Sequence, residues 1–213
     1  MKTALIFGVS GLTGKALLKN LIDDTRYEKI YIVTRKPFGG IHFKVEEILF
    51  NFKDFSELPE IKAHHVFSCL GTTLKKAGSK EAQLVIDRDY PIEIAKYSKK
   101  INAEKLVCVS SVGANHNSTN FYLKTKGQME EAVKKEFTNS VFVRPSFLFG
   151  KREELRIGEK IGIGLFYLIN PLLLATFSKY KGINVSRLSK AMIGACNKNS
   201  SQILHYSDIL SLN

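Results

Sequence analysis

Three things are scarce in this sequence: cysteine, long apolar runs and acidic side chains. Only three cysteines occur in 213 residues, and Cys69, Cys108 and Cys196 have no paired spacing for a zinc site or a disulfide framework. Such cysteine usage is typical of a reducing, intracellular environment, and we expect a cytoplasmic protein. The first residues are not a basic segment followed by an apolar block, so we expect no signal peptide.

The longest apolar segment is Ile161 to Phe177, and Asn170 and Pro171 interrupt it. It falls short of the about 20 apolar residues that a membrane-spanning helix needs. We therefore expect no membrane span, and we interpret the segment as two short helices that are buried or line a pocket. An apolar surface for a dimer partner or a membrane is the alternative, so the expected state is a monomer or a homodimer.

Acidic residues are outnumbered: 20 Asp and Glu stand against 32 Lys and Arg, which gives a net charge of +12. Such a surplus can indicate nucleic acid, anionic lipid or a phosphate-bearing ligand as the partner. The basic residues are dispersed, however, and their pairs fall partly near the ends of predicted helices, where solvated lysines are common. We therefore expect no specific nucleic-acid partner.

Strand-like and helix-like segments alternate along the chain, which predicts a parallel sheet with helices on both faces. The expected fold class is α/β, a Rossmann-like doubly wound parallel sheet with a small C-terminal lobe. We expect one domain over residues 1–213, in which residues from about 146 to 213 form the lobe on the substrate side. The predicted strands are 3–7, 29–33, 45–50, 65–69, 105–109 and 140–143; the predicted helices are 12–22, 81–99 with a kink near Pro91, 121–135 and 185–197.

A glycine-rich loop, GVSGLTG, follows the first predicted strand and precedes a helix, which is the context of a dinucleotide-binding loop. One glycine permits the tight turn, a second lets the backbone approach a pyrophosphate, and a third lets the helix pack close to the sheet. The helix N-terminus and nearby hydroxyls favour the anion. The alternative is a turn without a ligand. The residues expected to bind the dinucleotide here are Gly8, Ser10, Gly11, Leu12, Thr13 and Gly14.

The residue after the second predicted strand indicates which dinucleotide binds. An NAD site has an acidic side chain about 20 residues beyond the loop, where it holds the ribose 2′-hydroxyl. Here Arg35 and Lys36 occupy that region. A guanidinium binds a 2′-phosphate through two parallel charge-assisted bonds, whereas a carboxylate would repel it. We therefore expect NADP(H), the alternative being that both side chains are solvated loop charges.

A candidate catalytic group follows the fifth predicted strand. Ser110 and Ser111 end that strand, and Tyr122 and Lys126 come one helical turn apart on the next predicted helix. A phenol with an ordinary pKa of about 10 is a poor acid at neutral pH, and a nearby ammonium makes a phenol more acidic. A serine at the carboxyl end of a parallel strand can bind a substrate carbonyl. A Tyr-x-x-x-Lys pair alone is a weak motif, but its position after a nucleotide loop and a serine makes it specific.

These residues resemble the extended or atypical short-chain dehydrogenase/reductases. The stretches CLGTT, DRDY, SSVGA, NFYLKTKGQME and VRPSFLFGKRE resemble, more narrowly, the Tat-interacting-protein oxidoreductase subgroup and its bacterial relatives. The resemblance spans nearly the whole chain. It implies a Rossmann fold that binds NADPH and an oxidoreductase that passes hydride to a small carbonyl substrate. Some members of the subgroup act as NADPH-binding regulators of protein partners, so a non-catalytic sensor or scaffold is the alternative.

The resemblance also assigns roles to residues by position. Ser111, Tyr122 and Lys126 form the reductase triad, with Ser110 as the alternative serine, and Lys126 also holds the nicotinamide ribose. Asp87 and Asp89 are helix-end or surface positions that organise a neighbouring loop. The segment Cys69, Leu70, Gly71 and Thr72 lines the adenosine and pyrophosphate side, and the segment Arg144, Pro145 and Ser146 lies at the nicotinamide end. No metal is expected.

Overall fold

The computed structural model describes residues 1–39, 42–150, 181–197 and 202–212. Its strands are β1 (Lys2–Phe7), β2 (Tyr27–Thr34), β3 (Val45–Leu49), β4 (His65–Ser68), β5 (Lys105–Val109), β6 (Ser140–Val143), β7 (Leu148–Phe149), β8 (Ile183–Asn184) and β9 (Ile203–Leu204). Its helices are α1 (Leu12–Asp23), α2 (Leu74–Ala77), α3 (Lys80–Leu84), α4 (Tyr90–Lys100), α5 (Phe121–Glu136), α6 (Val185–Asn197) and α7 (Tyr206–Ser211), with a π-helical turn at Val85–Asp89 between α3 and α4.

Seven strands form one sheet in the order β3-β2-β1-β4-β5-β6-β9, and every neighbouring pair is parallel. Each strand therefore ends at the same edge. The order reverses between β1 and β4, so the connections that leave these two strands run in opposite directions and leave a crevice between them. The loops that follow β1, β2, β4, β5 and β6 meet at this carboxyl edge.

Apolar side chains cover both faces of the sheet, as expected for strands that are buried on both sides. On one face α1 packs against α6, and Leu17, Leu21 and Met192 join the core there. On the other face α4 packs against α5, and Ile94 and Met129 join the core. The predicted fold class, a Rossmann-like doubly wound sheet with a C-terminal lobe, is confirmed.

The structure differs from the predicted elements in the helix over residues 81–99 and in the tail, and it adds the short elements α2, β7, β8 and α7. The helix predicted over residues 81–99 contains the π-helical turn, and Pro91 lies in the first turn of α4, directly after that turn. The tail also returns to the main sheet, because β9 pairs with β6. The apolar segment Ile161 to Phe177 lies outside the described residues, and within those described no helix has the length and apolarity to cross a membrane.

A buried polar pair lies at the amino edge of the sheet, opposite the crevice. The Tyr27 hydroxyl, at the start of β2, lies 2.7 Å from His65 Nδ1, at the start of β4. His65 is 1% exposed, and this burial lowers the pKa of its imidazole to about 4, although Glu104 opposes the shift. The imidazole is therefore neutral in the folded protein at neutral pH.

This burial makes the stability depend on pH. The unfolded chain, with an ordinary histidine pKa of about 6.5, takes up the proton first as the pH falls. We therefore expect the free energy of unfolding to decrease between about pH 6.5 and pH 4, with about 2 to 3 kcal/mol due to His65. Urea unfolding at several pH values measures the effect. His65→Gln should remove this part of the slope, whereas His116→Gln, at a more exposed site, should keep it; equal slopes in all three proteins would contradict the assignment.

Candidate active site

The glycine loop holds the start of α1 against the sheet. Gly8 has a φ of +84°, in the region that favours glycine, and a Cβ there would come within 2.8 Å of the Cys69 carbonyl carbon. A Cβ on Gly14 would lie 2.2 Å from the Gly8 carbonyl oxygen. Gly11 precedes the first residue of α1 as its N-cap. Gly8 and Gly14 thus allow the strand, the turn and the helix to approach one another at the crevice.

A cavity of about 700 Å³ opens beside this loop. Of the predicted cofactor residues it brings together Gly8, Ser10, Leu70 and the Arg35-Lys36 pair. Three cationic side chains and no acidic ones are among the described residues that line it, which suits an anionic ligand. The lining residues that the sequence did not suggest are Lys15, Val33, Thr34, Pro37, Phe38 and Phe52.

A carboxylate from the neighbouring strand organises the loop that carries Arg35. Glu47 Oε1 on β3 accepts hydrogen bonds from Thr34 Oγ1 at 2.6 Å and from the Phe38 amide at 2.7 Å. These contacts fix both ends of the segment 35–37 while Arg35 stays exposed. Sequence reasoning missed Glu47 because it lies on β3 and reaches the end of β2 only through strand pairing.

The loop after β4 continues the wall of the crevice. Cys69 lies next to Gly8, and burial raises the pKa of the Cys69 thiol, so it is not a thiolate at neutral pH. Leu70 lines the cavity. The Thr72 amide donates to Asp87 Oδ2 at 3.4 Å, and a Cβ on Gly71 would lie 3.4 Å from Asp87 Oδ1. This loop therefore connects the cavity to the π-helical turn.

Tyr122 and Lys126 lie one turn apart on α5, as the spacing predicts. Tyr122 is 37% exposed, whereas Lys126 is 2% exposed. Lys126 Nζ lies 6.0 Å from the centre of the Tyr122 ring, 3.5 Å from the Val109 carbonyl oxygen and 3.0 Å from Asp87 Oδ1. The site thus combines an accessible phenol with a buried ammonium at the end of β5.

The two serines after β5 have different environments. Ser110 is buried, and its hydroxyl donates a hydrogen bond of 2.5 Å to Glu130 Oε1 on α5. Ser111 is partly exposed, and its hydroxyl donates to the Val112 carbonyl at 3.2 Å. The geometry therefore favours Ser111 as the serine that can reach a ligand, because Ser110 is committed to Glu130.

The segment after β6 faces a different cavity. Arg144 makes a two-point contact with Glu130, with Nε 2.9 Å from Oε1 and Nη2 2.5 Å from Oε2. Both residues line a cavity of about 320 Å³ on the α5 side of β6, separate from the cavity beside the glycine loop. Pro145 is buried, and the Ser146 hydroxyl donates to the Lys181 carbonyl at 2.5 Å. Arg144 therefore connects the end of β6 to α5 through Glu130.

Asp87 lies in a different place from the one that the resemblance implies, although it does contact a neighbouring loop. It is fully buried, so the expectation of a helix-end or surface position is wrong for it, while Asp89 is partly exposed and pairs with Arg88 at 2.7 Å. Gln83 and Asp87 are both buried and four residues apart, a spacing typical of one helix face. This spacing could have identified Asp87 as a buried residue, but it does not identify Lys126 on α5 as its partner.

Comparisons with known proteins support the resemblance. No family model matches the chain. The protein FMP52, mitochondrial, of Candida glabrata is 37% identical over 158 residues, 72% of this chain and 66% of that protein. The FMP52 protein of Eremothecium gossypii is 31% identical over 215 aligned positions, 98% of this chain and 96% of that protein. The protein HTATIP2 of Rattus norvegicus is 33% identical over 164 residues, 74% of this chain and 67% of that protein.

Solved structures share the fold. The Helicobacter pylori ADP-L-glycero-D-manno-heptose-6-epimerase superposes with a TM-score of 0.71 over 99% of this chain and 80% of its own, at 17% identity. The human epimerase family protein SDR39U1, solved with NADPH, has a TM-score of 0.66 over 94% of this chain and 72% of its own, at 16% identity. Identities this low show a common fold and nothing further about the ligand.

The expected cytoplasmic location is wrong by the same comparisons. The FMP52 relatives of C. glabrata, Debaryomyces hansenii and E. gossypii are all named as mitochondrial proteins. Cysteine usage reports whether an environment is reducing, not which compartment provides it. The three cysteines therefore do not distinguish the cytoplasm from another reducing compartment.

The glycine loop offers a matched pair of variants. An alanine at position 14 places its Cβ against backbone atoms that cannot move aside, whereas at position 11 the nearest atom is the Gly8 oxygen at 3.4 Å, an ordinary contact. We expect Gly14→Ala to lower the free energy of unfolding by about 2 to 3 kcal/mol, and Gly11→Ala by less than about 1 kcal/mol. Urea denaturation measures both values, and equal losses would contradict the packing role of Gly14.

Proposed function

The chain belongs to the family of the HTATIP2 and FMP52 proteins, within the atypical short-chain dehydrogenase/reductases, and we propose that it is an NADP(H)-dependent oxidoreductase acting on a small carbonyl compound. The observation that carries the proposal is the arrangement on α5. An accessible phenol and a buried ammonium lie at the same sheet edge as a glycine loop and a cationic cavity. Ligands of doubly wound sheets bind at this edge.

The residues present fit a dinucleotide with a 2′-phosphate. Glycines at positions 8 and 14 remove the side chains that would fill the turn, so that a pyrophosphate can approach the start of α1. Arg35 and Lys36 are exposed at the far side of the cavity, and Lys15 lines it as well. In this proposal, the Arg35 guanidinium binds the 2′-phosphate through charge-assisted hydrogen bonds to its negatively charged oxygens. Phe38 and Phe52 supply apolar wall for a base.

Hydride transfer to a carbonyl carbon is the chemistry that NADPH supplies when bound. Ser111 orients the carbonyl oxygen through its hydroxyl, and Tyr122 donates the proton that this oxygen takes up. Lys126 favours the phenolate that remains on Tyr122 and binds the nicotinamide ribose through its ammonium. Ser111 acts from the loop after β5, whereas Tyr122 and Lys126 both act from α5, so the packing of α5 against the sheet fixes their separation.

Residues from about 146 to 213 complete the single domain on the substrate side in this proposal. The described part of the tail is attached at several points: α6 packs on α1, β8 pairs with β7, and β9 joins the main sheet. The hydrogen bond from Ser146 to the Lys181 carbonyl adds a further attachment directly after β6. A tail tied to the sheet in this way can form one wall of a substrate pocket without a separate domain.

Cofactor preference tests the role of Arg35. We expect Arg35→Ala to weaken NADPH binding by about tenfold or more, because charge-assisted bonds to a phosphate are lost, and to leave NADH binding unchanged. Fluorescence titration of both cofactors measures this. Arg26→Ala is the control, since it removes the same charge at the opposite end of β2, where Arg26 pairs with Asp24. A wild-type protein that prefers NADH by tenfold would refute the role of Arg35.

Proton donation tests the role of Tyr122. We expect Tyr122→Phe to bind NADPH with nearly wild-type affinity and to lose turnover, because only the hydroxyl that gives the proton is removed. Consumption of NADPH with a panel of aldehydes and ketones measures turnover, and Tyr31→Phe on β2 is the control. Loss of NADPH binding in Tyr122→Phe would show a structural role. Binding without turnover by the wild-type protein would instead favour a dinucleotide sensor.

A further inference from the structure

Asp87 lies in an unusual place for an acidic side chain. The helical run from Lys80 to Lys100 is interrupted by the π-helical turn Val85–Asp89, and Asp87 is the residue of that turn that the core buries completely. Wide turns of this kind are rare and often occur at functional sites. An ionised carboxylate without solvent requires a charged or hydrogen-bonding partner, and the turn brings Asp87 to two of them.

The two carboxylate oxygens of Asp87 face different parts of the candidate site. Oδ1 lies 3.0 Å from Lys126 Nζ, and Oδ2 accepts from the Thr72 amide at 3.4 Å. The first contact is to the ammonium proposed to bind the nicotinamide ribose. The second is to the loop after β4, whose Leu70 lines the cavity beside the glycine loop. One buried side chain therefore connects both halves of the proposed cofactor site.

The ion pair has a clear chemical consequence. Both side chains are nearly inaccessible to water, at 0% and 3% side-chain exposure for Asp87 and Lys126. Burial disfavours a lone ammonium, so an anion beside it is what keeps it charged. With a neutral side chain at position 87, the buried side chain of Lys126 would lack the anion that now lies 3.0 Å from its Nζ. A neutral amine would bind ribose hydroxyls with weaker hydrogen bonds.

We propose that Asp87 is a positioning residue that keeps Lys126 charged and oriented, and that it thereby couples the loop after β4 to dinucleotide binding. The proposal rests on the proposed function, in which Lys126 holds the ribose. Asp87 touches neither substrate nor reacting atoms in this role. Its effect passes through the ammonium on one side and through the Thr72 amide on the other.

The other charged and titratable groups around Lys126 have partners of their own. Glu130, one turn later on α5, pairs with Arg144 and accepts a hydrogen bond from Ser110, and Glu93 on α4 pairs with Lys96. Within the described part of the chain, the Tyr122 ring on α5 and the Cys108 thiol on β5, whose pKa burial raises to about 12, also face Lys126. Among the described residues, Asp87 is thus the carboxylate in direct contact with Lys126.

NADPH titration at about pH 6.5 and about pH 9 tests the proposal. In Asp87→Asn we expect the affinity to fall about tenfold or more over this range, a loss that corresponds to about 1.4 kcal/mol. The wild-type protein should change less than about threefold over the same range. Asp89→Asn is the matched control, because it removes the same charge two residues away at an exposed site. Asp87→Asn/Lys126→Met should bind weakly at both pH values, since it has no ammonium at position 126.

Thermal unfolding of the same proteins covers the case in which Asp87→Asn folds poorly. Removing one partner of a buried ion pair should lower the Tm, and the double variant should recover much of the loss. An Asp87→Asn protein with the affinity and pH dependence of Asp89→Asn would overturn the proposal, as would a double variant less stable than Asp87→Asn. A wild-type protein that binds no dinucleotide would instead refute the proposed function itself.

Discussion

A buried lysine ammonium is the constraint around which the candidate site is built. Lys126 is carried to the end of β5 by α5, and α5 approaches the loop before it so closely that a Cβ on Gly127 would lie 2.2 Å from the His116 amide nitrogen. Burial of that charge requires the Asp87 carboxylate and the Val109 carbonyl as partners. The π-helical turn and the glycine in α5 are therefore parts of the same arrangement.

The two halves of the site depend on different physical effects. At the start of α1, close packing of glycines leaves room for a pyrophosphate, and the cations around the cavity suit an anion. At the end of β5, the buried charge of Lys126 requires a carboxylate beside it, and Asp87 provides that carboxylate. Asp87 lies between these halves, since its carboxylate contacts both Lys126 and the Thr72 amide. In the proposed function, a dinucleotide bound at the start of α1 therefore affects Lys126 at the end of β5 through Asp87.

Local sequence patterns predicted most of the fold and the position of α5. β5, β6 and α6 have the predicted bounds, and the other main strands and helices differ from theirs by a few residues, because short apolar runs and helical periodicity are local properties. The Tyr-x-x-x-Lys spacing placed its two residues on one helix face for the same reason. What these patterns could not supply were contacts between distant segments, such as Asp87 with Lys126 or Glu47 with Thr34. The pairing of β9 with β6 escaped prediction because two residues carry no periodicity.

A crystal structure of the protein soaked with NADPH tests the central claim most directly. We predict that the 2′-phosphate contacts Arg35 and that the nicotinamide ribose lies within hydrogen-bond distance of Lys126 Nζ, with the ring near Tyr122. Density for the dinucleotide elsewhere on the molecule would contradict the proposed site, as would a nicotinamide ribose bound away from α5.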